Sequence, residues 1–230
     1  MTNQKKPTIL FCHGLWADGS CFNKLIPPLI ADGFNVIAVQ YGLDNYQQDV
    51  DMIKKTMNRV DGPVILVGHS YGGATITGAG SDDQVLGLVY IAALAPDVGE
   101  TAQQQTAEYP AEVFNHVEIS DERLWLLPEG TQYFAGDLSE EEQKIIWATH
   151  YPPAVEILGQ QNLTEENVAW RKKPCWYILT TGDQTVSPKL QHFLANRMDA
   201  TVTEVNSSHV PMLSHPQVVV DVIRKAAQQV

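Results

Sequence analysis

Short apolar runs recur along the chain at Thr8 to Cys12, Asn35 to Gln40, Val64 to Val67, Val85 to Ala92, Trp176 to Leu179 and Val202 to Val205, each of strand length. Several are continuous rather than alternating, as expected of parallel strands whose side chains are buried by helices on both faces. Segments with a helical repeat lie between them. Val50, Ile53, Met57 and Val60 share one helical face, with Lys54, Lys55 and Asn58 on the other. Ser20 is placed to cap a helix running towards Ile30 and ended by Gly33, with Pro27 and Pro28 expected to kink or delay it. Ser187 and Pro188 read as N-cap and first helical residue, and Val219, Val220, Ile223 and Ala226 mark a terminal helix over Pro216 to Gln229. The alternation makes α/β the expected fold class.

Residues 98–171 break that rhythm. Leu124-Trp125-Leu126, the turn signal Pro128-Glu129-Gly130 and Gln132-Tyr133-Phe134 suggest a small hairpin. Ser139 with Glu142 forms a capping box ahead of Ile145, Ile146 and Trp147, so a helix follows. This stretch reads as a cap inserted into one domain, whose core is built from residues 1–97 and 172–230. It carries Tyr109, Phe114, Trp125, Tyr133, Phe134, Trp147 and Tyr151. A cap over the sheet edge would turn some of these rings towards a ligand.

Composition narrows the function classes. Of 230 residues, 44% are hydrophobic and 18% charged, which suits a chain with a large buried core. A formal net charge of −12 disfavours nucleic acid as a partner, because a phosphate backbone would meet repulsion on most faces. Three cysteines, Cys12, Cys21 and Cys175, show neither a disulfide framework nor zinc-ligand spacing and fit a reducing, cytoplasmic compartment. The amino terminus enters an apolar run without a signal-peptide pattern, and no stretch reaches the length of a membrane span. A soluble protein without a membrane partner is expected.

The chemistry concentrates in Gly68-His69-Ser70-Tyr71-Gly72, which follows the strand-like Val64 to Val67 and precedes the small-residue run from Gly73. G-x-S-x-G between strand and helix is a nucleophile elbow, a tight turn that exposes the serine hydroxyl at the strand's carboxyl end. His13-Gly14-Leu15-Trp16 ends the first strand, and the backbone amides of Leu15 and Tyr71 are the expected oxyanion donors. A serine needs a base within hydrogen-bond reach. His13 and His69 belong to the two motifs and read as structural, His116 and His150 fall in the cap, His192 lies within a helix and His215 begins the last one. His209 remains, in the loop after the last strand, which leaves the same sheet edge as the elbow. Asp183, directly after the fifth strand, is the acid expected to orient it, with Asp97 as runner-up and Glu204 a poor choice within a strand. Trp16, Trp125, Tyr133, Phe134 and Trp147 are the candidate substrate-binding rings.

Taken together, the chain resembles the α/β-hydrolase superfamily over nearly its whole length. Residues 12–16 and 68–73 are similar to the compact branch of plant methyl esterases, hydroxynitrile lyases and small bacterial carboxylesterases. The resemblance implies a six-stranded parallel sheet in the order 2-1-3-4-5-6 under a cap. Ester hydrolysis through an acyl-enzyme on Ser70 is the expected reaction, and the aromatic residues of the cap make small, largely apolar substrates the expected class. The lyases carry a threonine where this chain has Gly14 and a lysine close after the histidine where it reads Val210-Pro211-Met212, so cyanohydrin cleavage is disfavoured. Haloalkane dehalogenases have an aspartate where Ser70 stands, which disfavours that reaction too. Ester hydrolysis by such a site calls for no metal and no organic cofactor. Three rivals on the same scaffold stay open: a catalytically silent small-molecule receptor, a cofactor-free perhydrolase and a carbon-carbon bond hydrolase.

Overall fold

The computed structural model describes residues 6–230, so the reading of the extreme amino terminus falls partly outside the described residues. The core alternates strand and helix: β1 (Thr8–Cys12), α1 (Ile26–Ala31), β2 (Val36–Val39), α2 (Tyr46–Met57), β3 (Val64–His69), α3 (Tyr71–Ala79) and β4 (Val85–Ile91). Between β4 and the next core strand lies the segment expected to form the cap, with α4 (Ala102–Glu108), the hairpin strands β5 (Val117–Ser120) and β6 (Arg123–Leu126), α5 (Thr131–Ala135) and α6 (Glu140–Thr149). The core resumes with β7 (Cys175–Thr180), α7 (Pro188–Arg197), β8 (Thr201–Val205), α8 (Pro211–Ser214) and α9 (Pro216–Gln229). The main sheet runs β2-β1-β3-β4-β7-β8 with every pair parallel. Counting only its own strands, that is the expected order 2-1-3-4-5-6.

Continuous apolar runs become central strands because both of their faces are covered. Every residue of β1, β3 and β7 is buried, whereas the edge strand β8 exposes Thr201, Val202 and Glu204. Side chains such as Leu10, Leu66, Leu88 and Ile178 have no solvent exposure, and truncating any one to alanine would cost about 2–5 kcal/mol. α9 has the expected span and buries Val219, Val220, Val222, Ile223 and Ala226. The α9 residue Arg224 pairs at 2.7 Å with Asp32, the C-cap of α1, so the last helix is tied to the first.

Local chemistry altered three expected boundaries. Asp18, not Ser20, caps a short 3-10 turn over Gly19–Phe22; Pro27 and Pro28 then lie in the first turn of α1, where missing N–H groups are harmless, so they start the helix rather than kink it. Gly33 ends α1 at φ 82°, as expected. α2 stops at Met57, leaving Val60 in the following turn, bonded to Met57 O. In the cap, the hairpin pairs Val117–Ser120 with Arg123–Leu126 around Asp121 and Glu122, both at positive φ as a two-residue hairpin turn demands. Pro128-Glu129-Gly130 instead leads by a 3-10 turn into α5, and Gln132-Tyr133-Phe134 is helical rather than extended.

Candidate active site

The carboxyl edge of the sheet collects the residues singled out above. Ser70 is the pivot between β3 and α3, at φ 56° and ψ −124°, a conformation that a non-glycine residue holds only under strain. The strain is held by its surroundings: Ser70 N–H donates to Ile91 O at 3.1 Å, while Ser70 O accepts from Gly73 and Leu94 amides at 2.9 and 3.0 Å. The turn is also packed without spare room. A Cβ on Gly72 would lie 2.2 Å from Cys12 O, and one on Gly14 would lie 2.6 Å from Ser70 Cβ. Those glycines are steric requirements of bringing the β1 loop against the elbow.

Leu15, Trp16, Ser70 and Tyr71 line one small cavity together with Leu94, Thr106, Phe114, Leu158, Thr185 and Val186. Its free space is about 10 Å³, room for roughly one water. Tyr71 is the first residue of α3, so its N–H has no carbonyl a turn earlier in the helix, and the Leu15 amide makes no backbone hydrogen bond in its turn. Both residues line the cavity that Ser70 lines.

His209 and Asp183 have no exposed side-chain surface, and Nδ1 of the imidazole lies 2.7 Å from Asp183 Oδ2. The carboxylate accepts four further hydrogen bonds: Thr185 and Val186 amides at 2.7 and 2.9 Å, Thr180 Oγ1 at 2.9 Å and Gln191 Nε2 at 2.8 Å. That donor set holds the carboxylate as an acceptor towards the ring. Nδ1 is thereby placed to donate to the carboxylate, while Nε2 is buried and without a hydrogen-bond partner. Ser70 Oγ and Nε2 are not hydrogen-bonded in this conformation, and active sites commonly tighten this contact only with substrate present.

Neighbouring histidines and the cap hold the His209 loop. His69, next to Ser70 in the chain, donates from Nε2 to His209 O at 2.8 Å, with the two rings 4.6 Å apart. Burial, reinforced by the neighbouring His209, drives the His69 imidazole well below its ordinary pKa, so it is neutral. From the cap, Asp137 accepts from Ser207 Oγ at 2.9 Å, Ser208 N at 3.0 Å and Ser208 Oγ, gripping the two residues before His209. Burial opposes ionisation of Asp137, but the serine hydrogen bonds outweigh it and hold the carboxyl below its ordinary range. Nothing in the sequence pointed to Asp137, since its contacts span 70 and 71 positions of chain.

The runner-up acid is committed elsewhere: Asp97 pairs with Arg171 at 2.6 Å. Of the candidate rings, Trp16 lines the Ser70 cavity and donates to Leu124 O at 2.8 Å, and Phe134 stands edge-on to His209 at 5.2 Å. Trp125, Tyr133 and Trp147 do not line that cavity. Trp125 is 38% exposed and bonds Ser120 O, Tyr133 stacks on His116 at 4.2 Å, and Trp147 bonds Leu126 O. These three rings are engaged by the surrounding hairpin and helices and stand outside the wall of that cavity. Phe114, Thr106 and Leu158 supply the cap's part of the wall instead. Among the described residues, no group of three His, Cys, Asp or Glu side chains is placed to hold a metal ion, and no helix is long and apolar enough to cross a membrane.

A parallel sheet in this order, with a strained serine between strand and helix and a buried histidine-carboxylate pair at the same edge, defines a class. The chain belongs to the alpha/beta hydrolase family, whose model matches residues 9–222. Two curated relatives are similar to it. One is a pyrethroid hydrolase of Sphingobium wenxiniae, 26% identical over 91% of this chain and 83% of the relative. The other is methylesterase 17 of Arabidopsis thaliana, 24% identical over 99% of this chain and 94% of the relative. Among solved structures, polyneuridine aldehyde esterase superposes with a TM-score of 0.83 at 18% identity, covering 96% of this chain and 99% of that one.

Proposed function

We propose that the protein is a serine hydrolase of carboxylic esters in which Ser70 is the nucleophile, His209 the general base and Asp183 the residue that fixes the base. The observation that carries this reading is the hydrogen-bonding of His209. A wholly buried carboxylate, already accepting four other hydrogen bonds, holds the Nδ1 proton and so leaves Nε2 as a free acceptor beside the elbow. Nε2 takes the Ser70 proton as Oγ attacks the ester carbonyl, and the resulting imidazolium is stabilised by the carboxylate. The Leu15 and Tyr71 amides bind the oxyanion, each contributing roughly a hundred- to thousand-fold to turnover. The proton passes to the departing alcohol, and water then releases the acyl group by the same route.

The names of the relatives, a methylesterase and a pyrethroid hydrolase among them, point the same way. The apolar wall of the Ser70 cavity supports a small-molecule ester of largely apolar character as substrate. Its three cysteines are free, which fits a reducing, cytoplasmic setting. Hydrolysis of p-nitrophenyl acetate tests the assignment: Ser70→Ala lowers kcat by several orders of magnitude, and turnover retained within tenfold of the wild type would refute it.

A further inference from the structure

A second cavity shares Trp16 with the first. It holds about 150 Å³ of free space between α6 and the segments that follow β1 and His209. That is the size of an apolar cavity able to take one benzene ring. Trp16 lines both cavities; Phe134, Leu138, Ile146, Val210 and Met212 make the second one apolar. Charge is confined to three lining residues, Asp18, Lys24 and Glu142, the last two in a half-exposed ion pair at 2.8 Å. α6 buries none of its residues: Ile145 is 56% exposed and Ile146 only partly covered, although both line this space. A helix that leaves its apolar positions uncovered beside a catalytic loop is built to be covered by something else.

Reaction geometry says which part of a substrate that is. In the esterase reading, on which this inference rests, the imidazole that deprotonates Ser70 must return the proton to the alkoxy oxygen of the ester. As the Ser70 Oγ–C bond forms and the ester C–O bond breaks, the proton moves from Oγ through Nε2 to the alcohol, which leaves on the side of the imidazole. Val210 follows His209 directly, and the Phe134 ring lies edge-on to the imidazole at 5.2 Å. Both face the second cavity. The acyl group, held by the oxyanion amides, sits instead in the Ser70 cavity, whose free space of about 10 Å³ admits little. We propose that the groove between Trp16, Phe134 and α6 is the leaving-group subsite, and that the substrates are esters joining a short acid to an aromatic or comparably sized apolar alcohol.

Two isomers test this without altering mass or polarity: benzyl acetate puts the ring on the alcohol side and methyl phenylacetate puts it on the acyl side. The expected result is kcat/KM at least about tenfold higher for benzyl acetate, the discrimination that a few methylenes' worth of pocket supplies. Ile146→Trp, which fills the groove from a half-buried helix position, should shrink that ratio several-fold. A wild-type ratio near one, or inverted, overturns the subsite, and so does a ratio unmoved by a folded Ile146→Trp. Covalent labelling of Ser70 by a fluorophosphonate separates the two levels of the reading. An enzyme that labels but turns over neither isomer refutes the subsite alone, whereas absence of labelling refutes the esterase and the subsite together.

Discussion

Replacing Asp183 by asparagine changes one oxygen into an NH2 group and leaves the shape of the site intact, which makes it a sharp probe of the mechanism. Asp183 Oδ1 accepts from the Thr185 and Val186 amides, so an asparagine would keep its carbonyl there and turn its NH2 towards His209, Thr180 and Gln191. An NH2 facing Nδ1 cannot accept its proton, so the imidazole shifts to the tautomer protonated at Nε2. That ring can no longer take a proton from Ser70. The expected loss is about 10³–10⁴ in kcat, equivalent to ~4–5.5 kcal/mol of transition-state stabilisation. KM should move little, since Asp183 does not line the cavity at Ser70. The same NH2 meets the donor Gln191 Nε2 inside the core, which adds a stability cost of about 1–3 kcal/mol. Steady-state hydrolysis of p-nitrophenyl acetate beside thermal unfolding measures both. A kcat within tenfold of the wild type, in a folded protein, would show that the buried carboxylate does not set the state of the base.

Two further perturbations probe the shell around the site. Asp137→Ala removes the acceptor for Ser207 and Ser208, so the His209 loop should lose its fixed position; kcat is expected to fall about 10–100-fold with a displaced pH-rate profile, on the scale of a misplaced catalytic group, and unchanged kcat and profile would remove Asp137 from this role. Asp49 is buried behind the elbow helix against Tyr71 Oη at 3.0 Å, and burial, opposed in part by Tyr71, pushes its carboxyl up to about 7. Because the folded value lies above the unfolded one, its contribution to stability is complete below about pH 4 and is lost as pH rises through 7. Asp49→Asn should therefore raise Tm at pH 8 relative to the wild type and shrink the difference at pH 5, and parallel pH profiles for the two proteins would contradict this.

What could be read along the chain divides by the range of the interaction. The elbow was legible because its geometry is dictated within five residues: a strand, a strained serine and glycines whose Cβ atoms would strike Cys12 or Gly72 backbone. α9 was legible because Val219, Val220, Ile223 and Ala226 follow the helical repeat without interruption. Asp183 and His209 followed from the rule that a parallel sheet gathers its strand-end loops at one edge. The cap resisted such reading. Trp125 and Trp147 carry the same chemistry as Trp16, and only the folded structure shows that Trp16 lines the cavity at Ser70 while the other two do not. The hairpin turn at Asp121 and Glu122 lacks the glycine that normally marks positive φ, so Pro128-Glu129-Gly130 was the stronger but misleading signal. Asp137 reaches its serines across the interface between cap and core, a contact with no local signature.

The central claim is that this fold makes one hydroxyl out of many reactive, and mass spectrometry of the intact protein after treatment with a fluorophosphonate tests it most directly. The expected result is a single adduct, mapped to the peptide containing Ser70, that fails to form in His209→Ala at the same reagent concentration. Adducts scattered over other hydroxyls, or labelling of Ser70 at an undiminished rate without His209, would contradict the account.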